Sequence, residues 1–211
     1  MATGTPHPLA SVLAEAAAGR FPPADGAVEL FPPDTDGRWA VVEFTAHTAL
    51  LAGVSAAEVA ERGLHAYGAC SRPDTLAWLA GDRFEVGTLD VVLVAPGTGA
   101  GGLPARDDLH HHPRVSRALR YRRDLHVYGD DRGVVVLGRG LAGRLEVAVE
   151  LLDGVAEGRG AGRELIAAGL AAAPAGCPVW AQVAPGNAAS LRAFLACGFV
   201  PIGSEVLLTP R

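Results

Sequence analysis

Apolar and polar residues alternate along 145–151 (Leu145, Val147, Val149 and Leu151 against Glu146, Ala148 and Glu150), the period of a β-strand. The alternation runs into Gly158-Arg159-Gly160-Ala161-Gly162, after which Arg163-Glu164-Leu165-Ile166 opens a helical stretch. Strand, glycine loop and helix start, in that order, can aim loop amides and a helix N-terminus at one anion such as phosphate. No Lys-Ser/Thr follows the last glycine, and the chain contains no lysine, so the loop is not a Walker A loop. Its alternating glycines fit GxGxxG only loosely, and a tight connection without a ligand is the other reading.

Upstream, residues 1–37 carry a short helical stretch at 9–18 and two Phe-Pro-Pro turns, the pattern of a loosely structured N-terminal leader. Residues 39–51 are rich in β-branched and aromatic side chains and read as one strand. Ser55 and Glu58 form a capping box for a helix to about residue 64, and Asp74 reads as the cap of a second helix ending at Ala80. Residues 89–95 are a buried strand, and the Pro/Gly-rich 96–108 a loop, either hinge or lid. From Asp124 the pattern becomes an antiparallel meander of three strands leading into the glycine loop. A helix over 163–173 is stopped by Pro174, a buried strand spans 179–184, and Asn187 caps a helix that ends at Gly198. A terminal strand follows.

Composition narrows the function classes. The chain has 211 residues, 49% of them hydrophobic, and a net charge of −5. It can bury a sizeable core, and no apolar run is long enough for a membrane span. The first twenty residues lack the features of an export signal, so a cytoplasmic protein is expected. The acidic balance argues against general nucleic-acid or membrane binding. The three cysteines, Cys70, Cys177 and Cys197, have no CxxC spacing and read as buried thiols. His110, His111 and His112 follow Asp107 and Asp108, but adjacent side chains diverge, and no metal site is expected. Arg114, Arg117 and Arg120 share a helical face, either a solvated cationic face or one that meets an acidic ligand.

Two motifs resemble those of the GNAT superfamily of N-acetyltransferases. The family's pyrophosphate loop, Gln/Arg-x-x-Gly-x-Gly/Ala, is matched by Glu157-Gly158-Arg159-Gly160-Ala161-Gly162. Its Asn-x-x-Ala/Ser-x-x-x-Tyr-x-x-x-Gly-Phe motif is matched by Asn187, Ser190, Phe194, Gly198 and Phe199. The resemblance covers roughly the last 90 residues. It implies an α/β fold with a mixed, mostly antiparallel sheet, central strands splayed apart and helices on the flanks. The implied domain is 38–211, with 38–123 its acceptor-side half and 124–211 its CoA-binding half.

The implied reaction moves an acetyl group from acetyl-CoA, a co-substrate, to a small-molecule or protein amine that attacks directly, without metal. The pantetheine arm would add like a strand to Glu150, Leu151 and Leu152, between strands ending near Leu152 and Ala184. Gly158, Arg159, Gly160, Ala161, Gly162 and Arg163 would take the pyrophosphate, and Asn187 belongs to the cofactor motif. Glu146 is the favoured base, Glu150 its alternate on the same strand face, and His47 a further candidate. Two residues depart from the pattern: Glu157 replaces Gln/Arg, and Phe194 stands where many members carry a proton-donating tyrosine. A catalytically weak acyl-CoA-binding protein, or an enzyme using another acyl-CoA, are the alternatives. The terminal strand could pair across a homodimer.

Overall fold

Capping residues, prolines and glycines cut the chain into short elements in a computed structural model that describes residues 5–152, 154, 155 and 160–211. In order these are α1 (Leu9–Ala17), β1 (Val28–Phe31), β2 (Trp39–Phe44), β3 (His47–Leu51), α2 (Ala56–Glu61), α3 (Pro73–Ala80) and β4 (Phe84–Pro96). Then follow α4 (Pro113–Leu119), β5 (Arg123–Gly129), β6 (Gly133–Arg139), β7 (Leu145–Leu151), α5 (Ala161–Ala172), β8 (Pro178–Val183), α6 (Ala188–Ala196) and β9 (Val200–Pro210). The class is α/β, with mixed and mostly antiparallel strand pairing and flanking helices, as the resemblance implies. Two compact units make up the chain, one of residues 1–92 and 202–211, the other of residues 93–201.

The first unit orders its strands β1-β3-β2-β9-β4, with β1 parallel to β3 and β2 antiparallel to both β3 and β9. Trp39, Val41, Leu50 and Leu208 meet Val59 and Cys70 in its core. Residues 39–51 are a hairpin and not one strand: the turn between β2 and β3 places Ala46 at φ 52°, a conformation no residue here signals. The stretch expected to be a loose leader is ordered too. α1 buries Leu9, Leu13 and Ala16, and β1 gains a parallel partner in β3 from a distant part of the sequence. Ser55 forms the expected capping box with Glu58, each accepting from the other's amide (3.3 and 2.8 Å). Asp74 lies in the first turn of α3 and does not cap it; Arg72 holds the cap position and Pro73 opens the helix.

The second unit orders its strands β4-β8-β7-β6-β5. β5, β6 and β7 form the expected antiparallel meander, and β7 is parallel to β8. Side-chain alternation gives the meander two apolar faces. Val134 and Val136 turn to α4, where they meet Val115 and Ala118. Val135 and Val147 turn to α5, which approaches so closely that a Cβ at Gly169 would lie 2.8 Å from Val147 Cγ2. α4 packs on the meander within this unit.

Residues 96–108, expected to be a hinge or lid, bind the C-terminal end of α5. Thr98, Gly99 and Gly101 donate their amides to the carbonyls of Leu170, Ala173 and Ala171 (2.8, 2.9 and 3.1 Å). A helix end leaves such carbonyls without partners, so the loop acts as a strap. Its glycines permit the approach: a Cβ at Gly97 would sit 2.5 Å from Pro174 O, and one at Gly102 2.8 Å from Ala172 Cβ. Among the described residues no helix is long and apolar enough to cross a membrane.

Candidate functional site

The site lies in the second unit and begins with the pairing of β7. Its ladder with β6 runs from Leu145↔Arg139 to Leu151↔Gly133. Leu152 donates its amide to Arg132 O (3.0 Å), and Arg144 O accepts from Gly140 N (3.0 Å), so both ends of the ladder share one phase. In an antiparallel ladder alternate residues exchange both backbone bonds. The even-numbered residues of β7 therefore spend their backbone groups on β6, and the odd-numbered ones turn theirs the other way. On that side β8 pairs only at Leu145↔Val179 and Glu146↔Trp180, after which the two parallel strands part. The N–H and C=O groups of Val149 and Leu151 face the resulting gap. Of the three residues expected to bind a pantetheine arm, Leu151 has this orientation, while Glu150 and Leu152 are turned to β6.

α5 begins where the chain leaves β7. Gly160 sits at its N-cap with φ 96°, a left-handed conformation that glycine adopts without strain. The amides of Ala161, Gly162 and Arg163 belong to the first turn and have no acceptor within the helix. A Cβ at Gly162 would meet nothing within 4 Å, so there is open space beside the helix start. Arg132 ties the region together by donating to both Asp130 and Glu164. Gly158, Arg159 and Glu157 lie outside the described residues.

Glu146 and Glu150 share a face of β7, as alternation requires, yet their surroundings differ. Glu146 is buried at the last backbone pair: Arg144 Nε donates to Oε1 at 2.8 Å, and Arg122 Nε lies 2.7 Å from Oε2. Burial pushes the Glu146 carboxyl up, but the charges of Arg122 and Arg144 outweigh it and hold the group below its ordinary range. A Cβ at Gly140 would fall 2.1 Å from this carboxyl group, so the glycine makes room for it. Glu150 is 39% exposed and accepts from Arg114 Nε at 2.8 Å.

Arg122 carries more of the site than its place in a run of arginines suggests. Its Nη2 donates to Gln182 Oε1 at 2.6 Å, so one guanidinium reaches both β7 and β8. A bulge at the start of β5, with Asp124 at φ 51°, interrupts the register immediately after it. The sequence signal that could have found it is Gly138 and Gly140, close to Arg122 and Glu146 respectively. Trp180 is buried, with the Arg144 guanidinium 5.4 Å from its ring centre.

Asn187, Phe194, His47 and His112 each make contacts of their own. Asn187 Oδ1 accepts from Ser190 N at 3.1 Å and caps α6. Phe194 is buried and meets Phe199 edge-on at 4.9 Å. His47 belongs to the first unit, where its ring nitrogens lie 3.1 Å from Asp25 and 3.3 Å from Glu29. His112 caps α4 by accepting from Arg114 N at 3.2 Å. Among the described residues no group of three or more His, Cys, Asp or Glu side chains is placed to hold a metal ion.

No protein-family model matches the chain, and no curated protein sequence does. Among solved structures, the chain is similar to a GCN5-related N-acetyltransferase from Kribbella flavida. That match has 17% identity over 99% of this chain and 96% of the other, with a TM-score of 0.46. It is similar to a protein from Novosphingobium aromaticivorans described as an acetyltransferase of the GNAT family. Here identity is 21% over 61% of this chain and 67% of the other, with a TM-score of 0.42. A conserved protein of unknown function from Staphylococcus epidermidis is similar at 14% identity over 66% of this chain and 67% of that one, with a TM-score of 0.37. These are likenesses of chain path at low identity, and the chemistry of the site follows from its own geometry.

Proposed function

We propose that this protein is a GNAT-type acyltransferase that binds acetyl-CoA between β7 and β8 and passes the acetyl group to an amine. The observation that carries the reading is the parting of these strands after Glu146↔Trp180. It directs backbone donors and acceptors of Val149 and Leu151 into a gap, where they suit an extended, amide-bearing chain that adds as a strand. The pantetheine arm is such a chain. At the other end of β7, the first-turn amides of α5 and the left-handed Gly160 suit a pyrophosphate, with Arg163 beside them.

In the reaction the amine nitrogen attacks the thioester carbon, the carbon–sulfur bond breaks, and CoA leaves as its thiolate. The proton lost by the amine passes to a carboxylate. We assign this role to Glu150 and not to Glu146, because Glu146 is buried and saturated by two guanidinium groups. Glu150 faces the same side of β7 and reaches solvent, with Arg114 to orient it. Phe194 has no proton to give, so the thiolate takes its proton from water.

Thermal unfolding with and without acetyl-CoA tests the reading. At 100 times its dissociation constant the ligand stabilises by about 2.7 kcal/mol, and Gly160→Asp abolishes the shift. No shift in the wild type refutes acyl-CoA binding. The Phe194 replacement favours one second reading, an acyl-CoA-binding protein without turnover. A wild-type shift with no product across a broad amine panel would establish that alternative.

A further inference from the structure

Resting on the acyl-CoA reading above, we infer that Arg122, bridged to Glu146 and Gln182, closes the inner end of the cleft and limits the transferred group to the size of acetyl. The direction of the bound chain follows from the two ends of β7. The pyrophosphate end belongs at the start of α5, after Leu151, so the thioester end points back toward the last backbone pair, Glu146↔Trp180. That end is shut on both faces. Toward α5, Val147 is packed against Gly169, and Ala181 and Val183 are buried. Toward α4, Arg122 spans from Glu146 Oε2 on β7 (2.7 Å) to Gln182 Oε1 on β8 (2.6 Å).

Gln182 lies two residues beyond the last paired residue of β8, so the guanidinium crosses the cleft one step into the region where the strands have separated. The cluster is buried: the Arg122 side chain is 11% exposed, that of Glu146 3%, and Arg144 Nε lies 2.8 Å from Glu146 Oε1. The acyl group of a thioester bound in this direction would point at the strut. Each further methylene would press apolar surface against a charged, hydrogen-bonded group and would have to break bonds it cannot replace. Arg122 and Gln182 are therefore specificity-determining residues, separate from the proton transfer assigned to Glu150.

The test is isothermal titration of CoA, acetyl-CoA, propionyl-CoA and butyryl-CoA against the wild type and two variants. Gln182→Ala removes the far anchor of the strut. The double variant Arg122→Leu with Glu146→Leu removes the ion pair as a unit and leaves no lone buried carboxylate. In the wild type butyryl-CoA should bind about tenfold or more weakly than acetyl-CoA. In Gln182→Ala that ratio should fall toward one, with CoA itself bound as in the wild type, and the double variant should repeat the result if it folds. A wild type that binds butyryl-CoA as well as acetyl-CoA, or a ratio unmoved in Gln182→Ala, overturns this inference and leaves acyl-CoA binding standing. Absence of binding by every CoA species to the wild type overturns the acyl-CoA reading and this inference together.

Discussion

Glu146 is ionised in a place where a lone carboxylate would be neutral. Two guanidinium groups make the difference, and the sign of the pH dependence follows. Its folded carboxyl titrates below the ordinary value of 4.5, so its contribution to stability is full above that value and is lost as pH falls through the lower folded one. Replacing one partner of a buried ion pair typically costs about 3–5 kcal/mol, because the other charges stay buried. Glu146→Gln should therefore lose about that much in urea denaturation at pH 7, and its deficit against the wild type should shrink as pH falls below 4.5. Glu150→Gln should behave differently. Its side chain is half-exposed, and its partnership with Arg114 contributes on the order of 1 kcal/mol or less. On the proposed chemistry this variant keeps acetyl-CoA binding and loses turnover by about 10²-fold or more. Equal turnover in Glu150→Gln and the wild type would remove Glu150 from the reaction.

Helix ends show how much of the molecule can be read from local pattern. Asn187 stands in a motif associated with the cofactor, yet its side chain caps α6. Asn187→Ala should cost about 1 kcal/mol of stability in urea and leave the acetyl-CoA dissociation constant within a factor of two of the wild type. A large loss of binding at unchanged stability would restore it to the cofactor site. At the C-terminal end of α5 the strap of residues 97–101 supplies amides to carbonyls that the helix cannot satisfy. Gly102→Ala drives a Cβ to 2.8 Å from Ala172 and should destabilise by about 1–3 kcal/mol, measured by the same unfolding titration. Elements bounded by Pro, Gly, Ser or Asn were legible because their boundaries are local: the Ser55 box, the stop at Pro174 and the Gly198 terminus all match the pattern. The β2–β3 turn was not, because Ala46 carries no turn signal. β1 was not, because a four-residue strand owes its existence to pairing with β3. Within the site, alternation put Glu146 and Glu150 on one face but could not rank them. Their difference comes from Arg122, Arg144 and Arg114, and for Arg122 and Arg114 that is tertiary packing that no spacing on β7 contains.

At the scale of the whole chain, the second compact unit contains β7 and β8, which pair at Leu145↔Val179 and Glu146↔Trp180 and then part. Hydrogen exchange along β7 converts this into a residue-by-residue test. The amides of Ala148, Glu150 and Leu152 are turned to β6, and that of Leu152 is bonded to Arg132 O at 3.0 Å. They should exchange slowly whether or not ligand is present. The amides of Val149 and Leu151 face the gap and should exchange faster in the free protein. Saturating CoA should slow these two selectively, because a bound pantetheine arm would give them acceptors in a site now shielded from water. The β2 ladder is paired on both sides, by β3 and β9, and serves as the internal standard that should not change. An alternating response along β7 requires a strand-like ligand in the gap. Uniform slowing of even and odd positions would instead mean general stabilisation, and would locate the ligand away from the parted strands.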